Sequence, residues 1–148
     1  MKKHCSIITK IIAVCLVLAL AVPTLASAAE PDGALPYASH YLSEYSAYVY
    51  VTSRGEVQVW FDVMGVDTMD ELGLLSVRFY ESTDGINWTK IDTLLHDSTD
   101  GMLFYNDDYV SSHVSIQGST DKQYKAYVCV WGGKGGDGDT RYFWAYQP

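Results

Sequence analysis

Of 148 residues, 18 are acidic and 10 basic, a formal net charge of −8, and 48% are hydrophobic with 14% aromatic. The negative surplus repels phosphate backbones and anionic lipid surfaces, which excludes nucleic acid as an expected partner. The apolar content is enough for one packed core, and the length fits one domain.

In chain order, the first feature is an export signal. Lys2, Lys3 and Lys10 precede an unbroken apolar run from Ile11 to Val22. That run is shorter than the ~20 residues needed to span a bilayer, and it matches the apolar centre of a signal peptide. Pro23 ends it, and Leu25-Ala26-Ser27-Ala28-Ala29 offers small residues to signal peptidase, with cleavage expected after Ala28. Cys15 follows Val14 inside the apolar run, which argues against lipidation, and Ala145–Pro148 forms no hydrophobic tail. The expected product is secreted, with no membrane attachment after cleavage. Removing residues 1–28 keeps every acidic residue but loses Lys2, Lys3 and Lys10, taking the net charge from −8 to −11. Cys5 and Cys15 leave as well, so Cys129 stands alone and forms no intramolecular disulfide.

Residues 29–44 contain Pro31, Gly33 and Pro36 with little periodicity, and read as a flexible arm before a domain over 45–148. From Tyr45 the pattern has period two. Ala47, Val49 and Val51 alternate with Ser46, Tyr48 and Tyr50; then Val57, Val59, Phe61 and Val63 alternate with Gln58, Trp60 and Asp62. A three-residue loop at Ser53-Arg54-Gly55 pairs Val51 with Val57, Val49 with Val59 and Ala47 with Phe61, keeping one dry face. The same register sets Tyr48 beside Trp60 on the outer face. Residues 65–73 read as a loop. Leu74–Glu81 follows as a strand with Leu75, Val77 and Phe79 inward and Arg78 and Tyr80 outward; Thr83-Asp84-Gly85 turns it back into Trp88–Leu94. His96 to Ser112 is mostly polar, broken by Asp100-Gly101 and Asp107-Asp108, with short strands expected at 102–105 and 114–117. Tyr124–Trp131 is the clearest late strand, and Arg141–Tyr146 ends the fold after a glycine-rich loop at 132–140. About seven short strands and no helical period predict a single all-β antiparallel sandwich.

Two stretches sharpen that expectation. In Gly118–Val128 a turn leads into Tyr124 and then alternating small and apolar residues, which is similar to the tyrosine corner of fibronectin type III and immunoglobulin-like sandwiches. The segment Tyr80–Trp88, with Ser82, Asp84 and Gly85, resembles a hairpin common in secreted sandwich modules. It is also near the Asp-box hairpin of sialidase-like propellers, short of one residue between Asp84 and Gly85. Taken with the 65–73 loop, the Tyr124–Tyr127 segment and the glycine-rich loop, residues 45–146 resemble a family of small secreted proteins of Gram-positive bacteria with no assigned biochemical role. The resemblance implies a fold and a compartment and transfers no active site.

Catalytic constellations are poorly supported. A nucleophile needs a base and an orienter; His40, His96 and His113 remain after cleavage, with no G-x-S-x-G elbow, and Cys129 sits mid-strand. Carboxylate pairs such as Asp70-Glu71 and Asp107-Asp108 read as solvated loop acids. The run Gly132–Thr140 is not a phosphate loop, because Lys134 precedes Gly135 and not a Ser or Thr entering a helix. Asp137 and Asp139 offer two oxygens to Ca²⁺, with the set of six to eight unfilled. No cofactor is expected, and no enzymatic activity.

The aromatic residues carry the functional expectation. With Ala126, Val128 and Val130 inward, Tyr127, Cys129 and Trp131 face outward; with Phe143 and Ala145 inward, Tyr142 and Trp144 join them, and Tyr80 lies one strand further. This predicts an exposed platform of Tyr80, Tyr127, Trp131, Tyr142 and Trp144, with Tyr48 and Trp60 as a second pair. Such a patch, ringed by acids and joined by the adjacent 65–73 and 132–140 loops, suits an extracellular glycan or a protein ligand. The bland alternative is that cross-strand aromatics stiffen the sheet. Two other readings stand beside it: a small extracellular hydrolase using loop carboxylates, and an envelope protein that self-associates through a sheet edge.

Overall fold

The computed structural model describes residues 39–148; the expected signal sequence, its cleavage point at Ala28 and residues 29–38 of the expected arm lie outside the described residues. The described residues form six antiparallel strands: β1 (Leu42–Val51), β2 (Glu56–Ser82), β3 (Thr89–Leu95), β4 (Leu103–Gln117), β5 (Gln123–Lys134) and β6 (Asp137–Tyr146). Every inward side chain drains into one core, so the curled sheet makes the sandwich-like fold that the period-two pattern predicts.

The hairpin register is the one the dry face demanded. Val51 pairs with Val57, Val49 with Val59, Ala47 with Phe61, and Tyr48 with Trp60. Val57, Val59, Phe61 and Val63 are buried, and each such side chain taken from water contributes ~1.5–3 kcal/mol.

The strand count differs from expectation because two predicted strands are one. At ~3.3 Å per residue a straight β2 of 27 residues would run ~90 Å, far longer than a domain of this size. It therefore bends, and its two ends serve different neighbours. Residues 56–64 lie between β1 and β4, residues 71–73 between β4 and β5, and residues 76–81 between β5 and β3. The expected 65–73 loop is this bend. Four residues there, between Met64 and Met69, oppose the single Asp108 of β4, and Asn106 takes a positive φ of 56° beside it. At Gly73 (φ 143°) an added Cβ would sit 2.2 Å from the Met102 carbonyl oxygen, which accepts the Leu74 N–H. Only glycine lets the chains approach so closely.

Three further expectations are corrected. The strands predicted at 102–105 and 114–117 are parts of one β4, and Asp107 and Asp108 sit within it because the adjacent bend of β2 holds the ladder. A bulge between Leu74 and Ser76 shifts parity, so Leu74 and not Leu75 is fully buried ahead of Val77 and Phe79. The arm expected over 29–44 ends early: Leu42 is buried and opens β1. Its approach is fixed by Ser39, whose hydroxyl donates to Asp139 Oδ2 (2.7 Å) and accepts the Leu42 N–H (2.8 Å).

The tyrosine corner is present. Tyr124 is 2% exposed, and its hydroxyl accepts the Ser119 N–H at 2.7 Å, closing the turn that feeds β5.

Candidate functional site

Four strands in the order β3–β2–β5–β6 present one outer face. Residues directly opposite in an antiparallel pair project to the same side, so the face can be read in rows. Lys90, Tyr80, Lys125 and Tyr146 form one row; Thr93, Arg78, Tyr127 and Trp144 the next; Leu95, Ser76, Cys129 and Tyr142 a third. Three strand spacings of ~4.8 Å make it ~14 Å wide.

Four of the five predicted platform residues come together here. Tyr127 stacks on Tyr142 (centroids 5.9 Å, 19°) and tilts against Trp144 (4.9 Å), and Tyr80 meets Trp144 edge-on (5.2 Å). Tyr142 is 46% exposed, while Tyr80, Tyr127 and Trp144 are half-buried by one another. Cys129 lies under this layer, 3% exposed although its parity is outward. Burial pushes its thiol up, and contact with Cys129 raises the Tyr142 phenol.

The fifth, Trp131, stands apart. Opposite Thr140, it makes no ring contact with the cluster. Its indole lies over the paired Gly133 and Gly138, where an added Cβ would meet the ring at 2.8 and 2.5 Å. Its Nε1–H donates to Glu71 Oε2 at 3.0 Å. The glycine-rich segment is thus no open loop. β5 runs to Lys134, Gly135 and Gly136 (φ 66° and 84°) make a two-residue turn, and the flanking glycines bare a seat for an indole. A recess of about 370 Å³ opens there, lined by Trp131, Asp70, Glu71, Tyr105, Lys134 and Asp137 among others.

Sequence reasoning missed two contributors. Trp88 reaches the face because Asp84 closes the turn before it. The Asp84 carboxylate accepts the Asn87 and Ile86 N–H groups (2.8 and 2.9 Å), the Asn87 side-chain amide (2.7 Å) and the Ser82 hydroxyl (2.8 Å). Those donors, the Asn87 backbone first, hold the carboxyl far below its ordinary range. The hairpin resemblance over 80–88 was the available signal. Lys125 is the second: its ammonium lies 4.2 Å from the Trp144 centroid and 4.7 Å from that of Trp88, with Arg78 5.9 Å from Tyr127. The expected ring of acids is therefore replaced, along these rows, by cations. A further recess of about 380 Å³ borders the face at Trp88 and Tyr146.

The second aromatic pair occupies the outer face of the other half of the sheet. Tyr48 and Trp60 are cross-strand partners, but Trp60 stacks on His113 (4.4 Å, 19°), and its Nε1–H donates to Gln58 at 2.9 Å. Tyr48 stays 46% exposed.

The Ca²⁺ candidates are both taken up by hydrogen-bond donors of the protein. Asp139 accepts from Ser39 and the His40 N–H and lies 3.6 Å from Arg141, while Asp137 accepts the Gly138 N–H at 2.9 Å. Among the described residues no three His, Cys, Asp or Glu side chains converge as a metal site. Asp70 and Glu71 accept hydrogen bonds from Gly135 N and Trp131, and the histidines sit on separate elements: His40 before β1, His96 after β3, His113 on β4.

These features define an antiparallel, sandwich-like protein with an aromatic face on one layer. No protein-family model matches the chain, and no curated protein matches it.

Proposed function

We propose that the chain is a secreted, non-catalytic β-sandwich module that holds an extracellular glycan or protein ligand on the outer face of β2, β5 and β6. The observation that carries this is the contiguous group of Tyr80, Tyr127, Tyr142 and Trp144, presented on a sheet and not folded into the core. Rigid aromatic rings supply contact area at low entropic cost, and such patches mark binding surfaces. Support for export comes from the basic, apolar and small-residue sequence of 1–28.

The test is a tryptophan-fluorescence titration against a glycan panel and against extracellular proteins. Trp144→Ala should weaken the responding ligand about thirtyfold, the loss of ~2 kcal/mol ordinary for a central tryptophan at an interface. A ligand held equally well by Trp144→Ala, with the fold intact by circular dichroism, would place binding elsewhere. Amino-terminal sequencing of the exported product should begin at Ala29.

A further inference from the structure

The distribution of positive charge narrows the ligand. In the described part of this acidic chain, Lys122, Lys134 and Arg141 are each paired with a carboxylate, to Glu81, Asp67 and Asp139. Arg54 sits in the β1–β2 turn. The other three cations, Arg78, Lys90 and Lys125, fall on one face, in the two rows that hold Tyr80, Tyr127 and Trp144. No ion pair among the described residues engages any of the three. Their neighbours in those rows on β2, β5 and β6 include no acid. Chance placement on so acidic a surface would surround them with carboxylates, so a face alternating cations with rings is a local reversal of the molecule's charge.

Resting on the reading of this face as the binding surface, we infer that its ligand is an anionic glycan. Sugar rings lie on Tyr127, Tyr142 and Trp144, and their acidic groups meet Arg78, Lys90 and Lys125. A guanidinium set over a ring keeps its in-plane N–H donors free for a carboxylate, the geometry Arg favours. Lys125, flanked by two indoles, is a cation fixed in position before any ligand arrives, which lowers the ordering cost of binding. The face runs ~14 Å across the strands, and ~13 Å along β5 from Lys125 to Cys129, room for more than one sugar. A carboxylated polysaccharide carries at most about one charge per sugar and meets this positive patch without pressing against the acids beyond it. Duplex nucleic acid, with one charge per ~1.7 Å of axis, presses a far denser field on those acids and is repelled.

The experiment compares polygalacturonate, the same polymer with its carboxyls reduced to alcohols, and oligothymidylate, by fluorescence titration of the folded domain at two salt concentrations. The expected result is binding of polygalacturonate at least tenfold tighter than of the reduced polymer, weakened by salt. The double variant Arg78→Gln/Lys125→Gln should lose about tenfold or more of that affinity, as charge-assisted hydrogen bonds do. Arg54→Gln, which removes one charge away from the face, should change nothing. Equal binding of the charged and reduced polymers, or an unaffected double variant, overturns the anionic inference and leaves the face as a neutral-glycan site. Tighter binding of oligothymidylate overturns it in favour of nucleic acid. If all three probes fail while a protein ligand responds to Trp144→Ala, the glycan is excluded and the face stands. If nothing that binds responds to Trp144→Ala, the face reading falls and takes this inference with it.

Discussion

Tyr124→Phe isolates the hydroxyl of the tyrosine corner. The ring is 2% exposed and its packing survives the change; what goes is the acceptor for the Ser119 N–H at 2.7 Å. A hydrogen bond of this kind contributes ~1 kcal/mol net, and a stranded buried donor costs ~1–3 kcal/mol. Ser119 is only half-buried, so water reaches the freed N–H in part and holds the penalty low. Together these give about 1.5 kcal/mol, or roughly 6–9 °C in Tm for a domain of about 100 residues. Urea unfolding should show a lower midpoint at unchanged slope. Because Tyr124 points inward while its neighbour Lys125 points outward, ligand affinity should not move. A Tm within 1 °C of the parent would refute the corner as a support, and a loss above ~4 kcal/mol would mean that the ring itself had shifted.

Gly138→Ala would drive a Cβ to 2.5 Å from the Trp131 ring and 2.6 Å from the Gly132 carbonyl oxygen; a loss of ~1–3 kcal/mol and a red-shifted tryptophan emission should follow. The Asp139 carboxyl is lowered chiefly by the Ser39 hydroxyl, and that of Asp84 by the Asn87 backbone. A depressed carboxylate stabilises the fold above its ordinary range near pH 4, and that contribution drains away as pH falls through the folded value. Asp139→Asn should therefore flatten the acid limb of a stability–pH curve below pH 4 and speed hydrogen exchange at Tyr41 and Leu42; an unchanged limb would refute the clasp. The buried, raised Cys129 thiol should resist a thiol reagent at pH 8 in the native state and react fully in denaturant; rapid native reaction would contradict its burial under Tyr142.

Much of this protein follows from side-chain alternation alone. Period two from Tyr45 to Val63 set the first hairpin and its register, because a slip of one residue would have turned Val57, Val59 and Phe61 into water. The same rule assigned Ala126, Val128 and Val130 to the core, and Tyr127, Tyr142 and Trp144 to the outer face. What alternation does not encode is how far a strand continues past a sparse stretch. Residues 65–73 and 106–112 carry too few apolar side chains to announce strands; they are strands because β2 and β4 hold each other's backbone through the bend. The seat of Trp131 on bare glycine backbone, and the convergence of Arg78, Lys90 and Lys125 from three strands, arise from pairings between residues distant in sequence. Local chemistry decides which side of a strand a residue faces, and only the curled sheet decides which residues become neighbours on that side.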